Sequence, residues 1–302
     1  MPAVSVIIPN YNHAPFLRQR IDSVLGQSFT DIEIILLDDC SSDKSRNVIE
    51  GYRAHPLVTH IVFNERNSGS TFRQWEKGLA LSQGEYVWIA ESDDWAHPEF
   101  LATIVPLLRD DKKVVIGYCM SAITDELGTI TGTYLPYLHP YRKEVWSNDF
   151  KMEGKHFLEE FLSKLNAIPN SSAVVFRKEA LSGVTIDKQM RYCGDWKLWW
   201  DILLKGDIVY VAAEMNYYRW HANTVTKLIV SKELFEKERM ALVRYFYQSA
   251  LRIGKRKELL EIYYRDLYRQ VQLSPVKIFM AMGRIIVDLP LILRVLLASK
   301  TG

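Results

Sequence analysis

Tyr86-Val87-Trp88-Ile89-Ala90-Glu91-Ser92-Asp93-Asp94 decides the fold. A short, unbroken apolar run suits a strand buried on both faces. Here it stops abruptly in a cluster of carboxylates. In an open parallel sheet, ligands sit just beyond the carboxyl ends of the strands. The stretch therefore predicts a central strand and also where the chemistry is done.

Working outward, the same kind of run recurs at Val4–Ile8, Ile32–Leu37, His60–Phe63, Val114–Cys119, Ala173–Phe176 and Ile208–Ala212. Helical patterns lie between them, near 15–26, 43–54, 71–82, 98–109, 155–165 and 195–205. This alternation predicts an α/β fold, a mostly parallel, Rossmann-like sheet flanked by helices. Gly26, Gly84 and Gly206 follow helical patterns, where a left-handed residue can end a helix. Residues 120–153 break the rhythm, and the Thr-, Gly-, Tyr- and Pro-containing Thr129–His139 reads as a loop or hairpin insertion.

The chain has 302 residues, 48% hydrophobic and 25% charged, and Lys+Arg 38 against Asp+Glu 36 gives +2. These values exclude a disordered chain and a nucleic-acid-coating one. The charge is uneven. Residues 228–302 carry 14 Lys and Arg against 7 Asp and Glu, while residues 1–227 carry 24 against 29. Two domains are expected: an α/β body over 1–227 and a basic, amphipathic helical extension over 228–302. Leu234–Leu251 and Lys255–Val271 read as helices, and 275–298 is more apolar but interrupted by Lys277, Arg284, Asp288 and Arg294. Charges inside a span are costly, so this segment is expected to lie on a membrane rather than cross it. A helical hairpin packed on the body or on a second subunit is the alternative. Cys40, Cys119 and Cys193 lack metal or redox spacing and read as reduced thiols. The start of the chain reads straight into a strand and not as a signal peptide, so a cytoplasmic protein is expected, peripheral on the inner face of the membrane if the tail binds there.

Acidic clusters end two of the expected strands, Asp38-Asp39 and Glu91-Ser92-Asp93-Asp94. Clustered carboxylates repel one another unless a cation joins them, and Mg²⁺ or Mn²⁺ prefers such oxygen ligands. The plainer reading makes Asp38, Asp43 and Asp94 helix caps or turn residues. No Gly-x-Gly-x-x-Gly and no Walker loop follows the first strand, which argues against a nicotinamide, flavin or P-loop enzyme.

Four segments in order resemble glycosyltransferase family 2. They are Val4-Ser5-Val6-Ile7-Ile8-Pro9-Asn10-Tyr11-Asn12, Leu37-Asp38-Asp39-Cys40-Ser41-Ser42-Asp43, the stretch from Gly78 through Gly84 to Asp94, and Tyr217-Tyr218-Arg219-Trp220-His221-Ala222-Asn223-Thr224-Val225-Thr226. The resemblance implies a GT-A fold, a nucleotide-diphospho-sugar donor, most simply a UDP-sugar, a divalent metal, and inversion at the anomeric carbon. It implies a donor site of Pro9, Tyr11, Asp38, Asp39 and Asp94, with Asp39 on the base. It implies Asp93 as a metal ligand, joined by Glu91 in place of the usual Asp. Where the family often carries an Arg the chain has Trp75, so Arg73 is the nearby candidate cation, with Lys77 beside it. Arg219 is expected on the diphosphate and His221 on the metal or a phosphate.

An inverting transfer also needs a base for the acceptor hydroxyl. Asp195, in Gly194-Asp195-Trp196-Lys197-Leu198-Trp199-Trp200, matches the Asp of the family's Glu-Asp pair, with Gly194 in place of Glu. As a plain helix cap Asp195 would need no such role. The expected partners are the donor and a glycan or lipid-linked glycan acceptor, as in bacterial surface polysaccharide synthesis, with no nucleic acid. A sugar nucleotidyltransferase and a non-catalytic sugar-nucleotide-binding module are the rivals.

Overall fold

The computed structural model describes residues 1–221 and 232–253. Every apolar run forms a strand. β1 (Val4–Asn10), β2 (Ile32–Asp38), β3 (Val58–Phe63) and β4 (Tyr86–Ile89) come first. A two-residue β5 (Trp95–Ala96), a long β6 (Val114–Thr124), β7 (Ile130–Thr133) and β8 (Phe150–Met152) follow. β9 (Val174–Arg177) and β10 (Asp207–Arg219) complete the sheet, whose main path is β3-β2-β1-β4-β9-β6-β10-β5. β1 pairs in parallel with β2 and β4, and β2 with β3. β9 is antiparallel to both β4 and β6, while β6 and β10 are parallel. Two reversals restore the direction, so β1, β2, β4 and β10 all point their carboxyl ends to one edge. The insertion is the predicted hairpin, with β7 folded back on β6.

The helices are α1 (Ala14–Leu25), α2 (Ser45–Glu50), α3 (Thr71–Leu81) and α4 (Phe100–Arg109), then the single turns α5 (Leu135–Leu138), α6 (Lys143–Trp146) and α7 (Gly154–Phe157). A π-turn (Leu158–Leu162) continues α7, and α8 (Gly194–Leu203) and α9 (Lys232–Ile253) follow. Burial on both faces is what holds the central strands. Val4, Val6, Ile7, Ile8, Ile34 and Ile35 have no exposed surface, and each such side chain contributes about 1.5–3 kcal/mol relative to exposure. α3 lies directly on β1: a Cβ at Gly78 would stand 2.3 Å from Ile7 Cγ2.

The helix-ending glycines work differently from expectation. Gly26 has φ −84°, so no left-handed cap forms there. Gly84 and Gly206 serve close approach instead, since a Cβ would lie 2.6 Å from the Ser5 nitrogen and 2.4 Å from the Lys113 oxygen. The buried Glu33 in β2 is satisfied by the Ser5 and Thr59 hydroxyls and the Gln83 amide.

The chain divides into two units, Met1–Phe235 and Glu236–Gly302. The expected boundary at 227/228 falls outside the described residues, as do the second tail helix and the apolar stretch 275–298. α9 covers the first expected tail helix. Among the described residues no helix is long and apolar enough to cross a membrane. Cys40, Cys119 and Cys193 are free thiols.

Candidate active site

Strand order reverses between β1 and β4, which makes their carboxyl ends the topological switch point. His13 follows β1, Asp93 follows β4 and His221 follows β10. Their candidate ligand atoms all lie within 4.8 Å of one another. His221 Nε2 is 3.1 Å from Asp93 Oδ2, and the two imidazoles meet edge to face at 5.4 Å. His13 Nδ1 pairs with the Ser92 hydroxyl at 2.8 Å. Burial pushes Asp93 up, yet the His13 charge and the His221 hydrogen bond outweigh it and hold the carboxyl below its usual range. Two imidazoles and a carboxylate suit a first-row transition-metal ion, Mn²⁺ among them, better than Mg²⁺, which prefers oxygen alone. These residues therefore fit a divalent metal.

His13 was not among the expected ligands, and Glu91 does not join the set. The Glu91 carboxylate turns back into the fold, where Trp75 Nε1 donates to Oε1 at 2.8 Å. Trp75 is thus more than core filling. Burial, then the charge of Asp93, raises Glu91 to about 8. An acid raised on folding holds its proton where the unfolded chain has lost it. Stability therefore falls as pH rises from the ordinary carboxylate range to about 8, and levels off above. Glu91→Gln keeps the acceptor for Trp75 and removes that loss. The metal-free variant is expected to be more stable than wild type at pH 8 by on the order of a few kcal/mol, the gap closing near pH 4.5. Urea unfolding at several pH values with EDTA checks this.

Asp38, which ends β2, and Asp39, which follows it, are also turned inward. Asp38 accepts from Asn10 Nδ2 (2.8 Å), the Ser41 amide (2.9 Å) and the Ser41 hydroxyl (2.6 Å). Asp39 accepts from Asn64 Nδ2 (2.6 Å), the Ser68 amide (2.9 Å), the Ser68 hydroxyl (2.7 Å) and Gln74 Nε2 (2.9 Å). Both staple the site loops, Asp39 joining the loop after β3 to α3. Asn12 and Cys40, on the loops after β1 and β2, hold positive φ of 57° and 62°. Such strain persists only where surrounding bonds over-determine it. Tyr11 is exposed at the end of β1, while Pro9 is buried within it. Arg73 is exposed on α3, and Lys77 is turned to Asn64.

Asp94 and Arg219, both expected at the donor, are bonded to the fold itself. Asp94 accepts from Asn170 Nδ2 (3.1 Å) and the Arg219 amide (3.0 Å), and is 2% exposed. Burial and Asp93 raise it to about 6. Arg219 donates to the Asp93 carbonyl (2.9 Å), the Glu126 carbonyl (2.6 Å) and Gln19 Oε1 (2.5 Å), between the faces of Phe16 and Trp95. Its guanidinium is spent tying the loop that carries Asp93 to α1 and to the turn before β7. The charge buried deepest among the acids is Arg20, which sequence reasoning passed over. Its Nε donates to the Glu91 carbonyl at 2.8 Å, and Nη2 stands 3.9 Å from Asp94 Oδ2.

Asp195 sits in the first turn of α8, past the N-cap Cys193, where the helix dipole favours negative charge. Oδ1 accepts from the Trp196 amide at 2.7 Å and Oδ2 from Asn166 Nδ2 at 3.1 Å. α8 is seated on α3. A Cβ at Gly194 would lie 2.6 Å from the Phe72 ring, so the family's Glu has no room here. Phe72 packs on Trp75, which holds Glu91, so one aromatic stack connects the α8 start to the acidic loop.

The sequence model of glycosyl transferase family 2 matches residues 5–189. The chain belongs to that family. Over 93 residues it is 40% identical to a Bacillus subtilis protein named for teichuronic acid biosynthesis, covering 31% of this chain and 36% of that one. An uncharacterized glycosyltransferase of Nostoc sp. is 28% identical over 72% of the chain and 65% of its own length. The chain thus spans less than two thirds of either relative. A Campylobacter jejuni GalNAc(5)-diNAcBac-PP-undecaprenol β-1,3-glucosyltransferase is 25% identical over 78% of the chain and 70% of its own. Among solved structures, S. aureus TarS in complex with UDP-GlcNAc superposes with a TM-score of 0.68 at 17% identity, over 91% of this chain and 74% of that one. The fold is that of the GT-A glycosyltransferases.

Proposed function

We propose that this glycosyltransferase moves a sugar, with inversion, from a nucleoside-diphosphate sugar to a hydroxyl of a glycan or lipid-linked glycan in bacterial surface polysaccharide synthesis. The observation that carries the reading is the His13–Asp93–His221 set at the switch point. A divalent cation held by these residues supplies charge neutralisation for the departing diphosphate. Asp195 Oδ2, oriented by Asn166, takes the proton of the acceptor hydroxyl. The acceptor oxygen bonds to the anomeric carbon as that carbon's bond to the diphosphate breaks. Asp38 and Asp39 act through the loops they staple, which wall the nucleoside side. UDP is the favoured nucleotide, supported by the UDP-GlcNAc complex of TarS. The apolar stretch 275–298 lies on the inner membrane surface, supported by its sequence alone.

Thermal unfolding with UDP, GDP and their sugars, each with Mn²⁺, Mg²⁺ or EDTA, tests this. One nucleotide is expected to stabilise the protein only with metal, by about 2.7 kcal/mol at 100 times its dissociation constant. No shift with any nucleotide and either metal would overturn the reading.

A further inference from the structure

Four aromatic rings run in a row from α5 to the end of β10. Tyr137 meets Tyr134 at 6.3 Å between centroids, Tyr134 meets Tyr218 at 5.5 Å, and Tyr218 meets Trp220 at 6.4 Å. They come from the hairpin insertion with its following turn α5, and from the end of β10. The two ends of the row are open: Tyr137 is 46% and Trp220 40% exposed. Large rings left in water at both ends of a packed row are a surface waiting for an apolar partner. Position narrows that partner. Burial chiefly raises the Tyr137 hydroxyl, to about 12, and the Asn166 backbone and the Asp195 charge also act on it, which puts this end of the row within electrostatic reach of Asp195. Asn166 itself donates to Asp195 Oδ2, while its buried Oδ1 has no hydrogen-bond partner among the described residues. An orphaned buried acceptor calls for a donor.

A pyranose satisfies both demands. Its C–H face is apolar and flat enough to stack on an aromatic ring, and its rim carries hydroxyl donors. We infer that Tyr137, Tyr134, Tyr218 and Trp220 form a stacking platform for the sugar rings of the acceptor, with Asn166 Oδ1 accepting from a hydroxyl of the ring to be glycosylated. This deepens the reading above and rests on Asp195 as the base. Tyr and Trp suit the task because they give large, rigid contact at little entropic cost. A row of rings offers more than one stacking position, so the platform selects an oligosaccharide over a monosaccharide.

The test uses the full chain loaded with Mn²⁺ and the nucleoside diphosphate, UDP or GDP, that stabilises it. Alkyl glycosides of glucose, galactose, mannose, GlcNAc and GalNAc, and disaccharides of these, are titrated by saturation-transfer NMR. At least one glycoside is expected to bind, disaccharides better than their monosaccharides. Tyr137→Ala and Trp220→Ala are each expected to weaken it at least tenfold, and Tyr137→Phe and Trp220→Phe to restore it. Nucleotide affinity, measured on each variant, reports folding. Glycoside binding indifferent to both alanine variants would overturn the inference. So would no glycoside binding by wild-type protein that does bind the nucleotide. A wild-type protein that binds neither nucleotide would instead defeat the donor reading beneath it.

Discussion

Asp195→Asn is expected to lower turnover by about two to four orders of magnitude, the range typical for removing a general base. The substitution preserves shape. The Trp196 amide keeps an acceptor, and α8 keeps its seat on Phe72. Only the capacity to take a proton is lost. Asp195 lies outside the metal-ligand set, so the affinity for nucleoside diphosphate and Mn²⁺ should stay within a few-fold of wild type. Release of nucleoside diphosphate under saturating donor and acceptor reads the first quantity, and calorimetry the second. Turnover unchanged in the Asn variant would remove Asp195 from the chemistry.

Arg20→Met is expected to cost stability on a comparable scale. Arg20 has no exposed surface and lies over the Trp88 ring at 5.5 Å. Burial lowers its pKa to about 10, against the pull of Asp94, Asp93 and Glu91. Methionine fills much of the space and leaves those acids without that cation. Removing one partner of a buried charge group costs about 3–5 kcal/mol. At roughly 2–4 °C per kcal/mol for chains of this order, Tm should fall on the order of 10 °C. The sign of the pH dependence follows from the acids. Asp94 is raised to about 6 and Glu91 to about 8. Below pH 6 both are largely neutral, so less charge needs a partner. The deficit should shrink from pH 8 to pH 5.5, as denaturant unfolding of the two proteins would register. An equal deficit at both values would mean that Arg20 acts through packing alone.

The sheet was legible because strands buried on both faces must be apolar throughout, and Val4–Ile8, Ile32–Leu37 and Tyr86–Ala90 are. β5 and β8 were not, because two or three residues carry no periodicity and take their conformation from β10. The acidic strand ends pointed by rule to the edge of the sheet where His13, Asp93 and His221 come together. The direction of individual side chains was not legible where tertiary contacts decide which way a group turns. Glu91 is drawn to Trp75 and Arg219 into the space between Phe16 and Trp95, contacts made across long sequence separations. His13 gave no local signal, since three separate strand ends are needed to define its company. Arg20 did give one. Leu17, Arg20, Ile21 and Val24 share the apolar stripe of α1, and a charge at such a position marks a buried partner.

The metal set is the centre of the functional reading, and His13 is its least expected member. Mn²⁺ binding followed by electron paramagnetic resonance, with the stabilising nucleoside diphosphate present, tests it in wild type and His13→Ala. Removing one of three protein ligands should weaken Mn²⁺ binding at least tenfold while the protein stays folded. Equal affinity in the two proteins would contradict a metal site built on His13, Asp93 and His221.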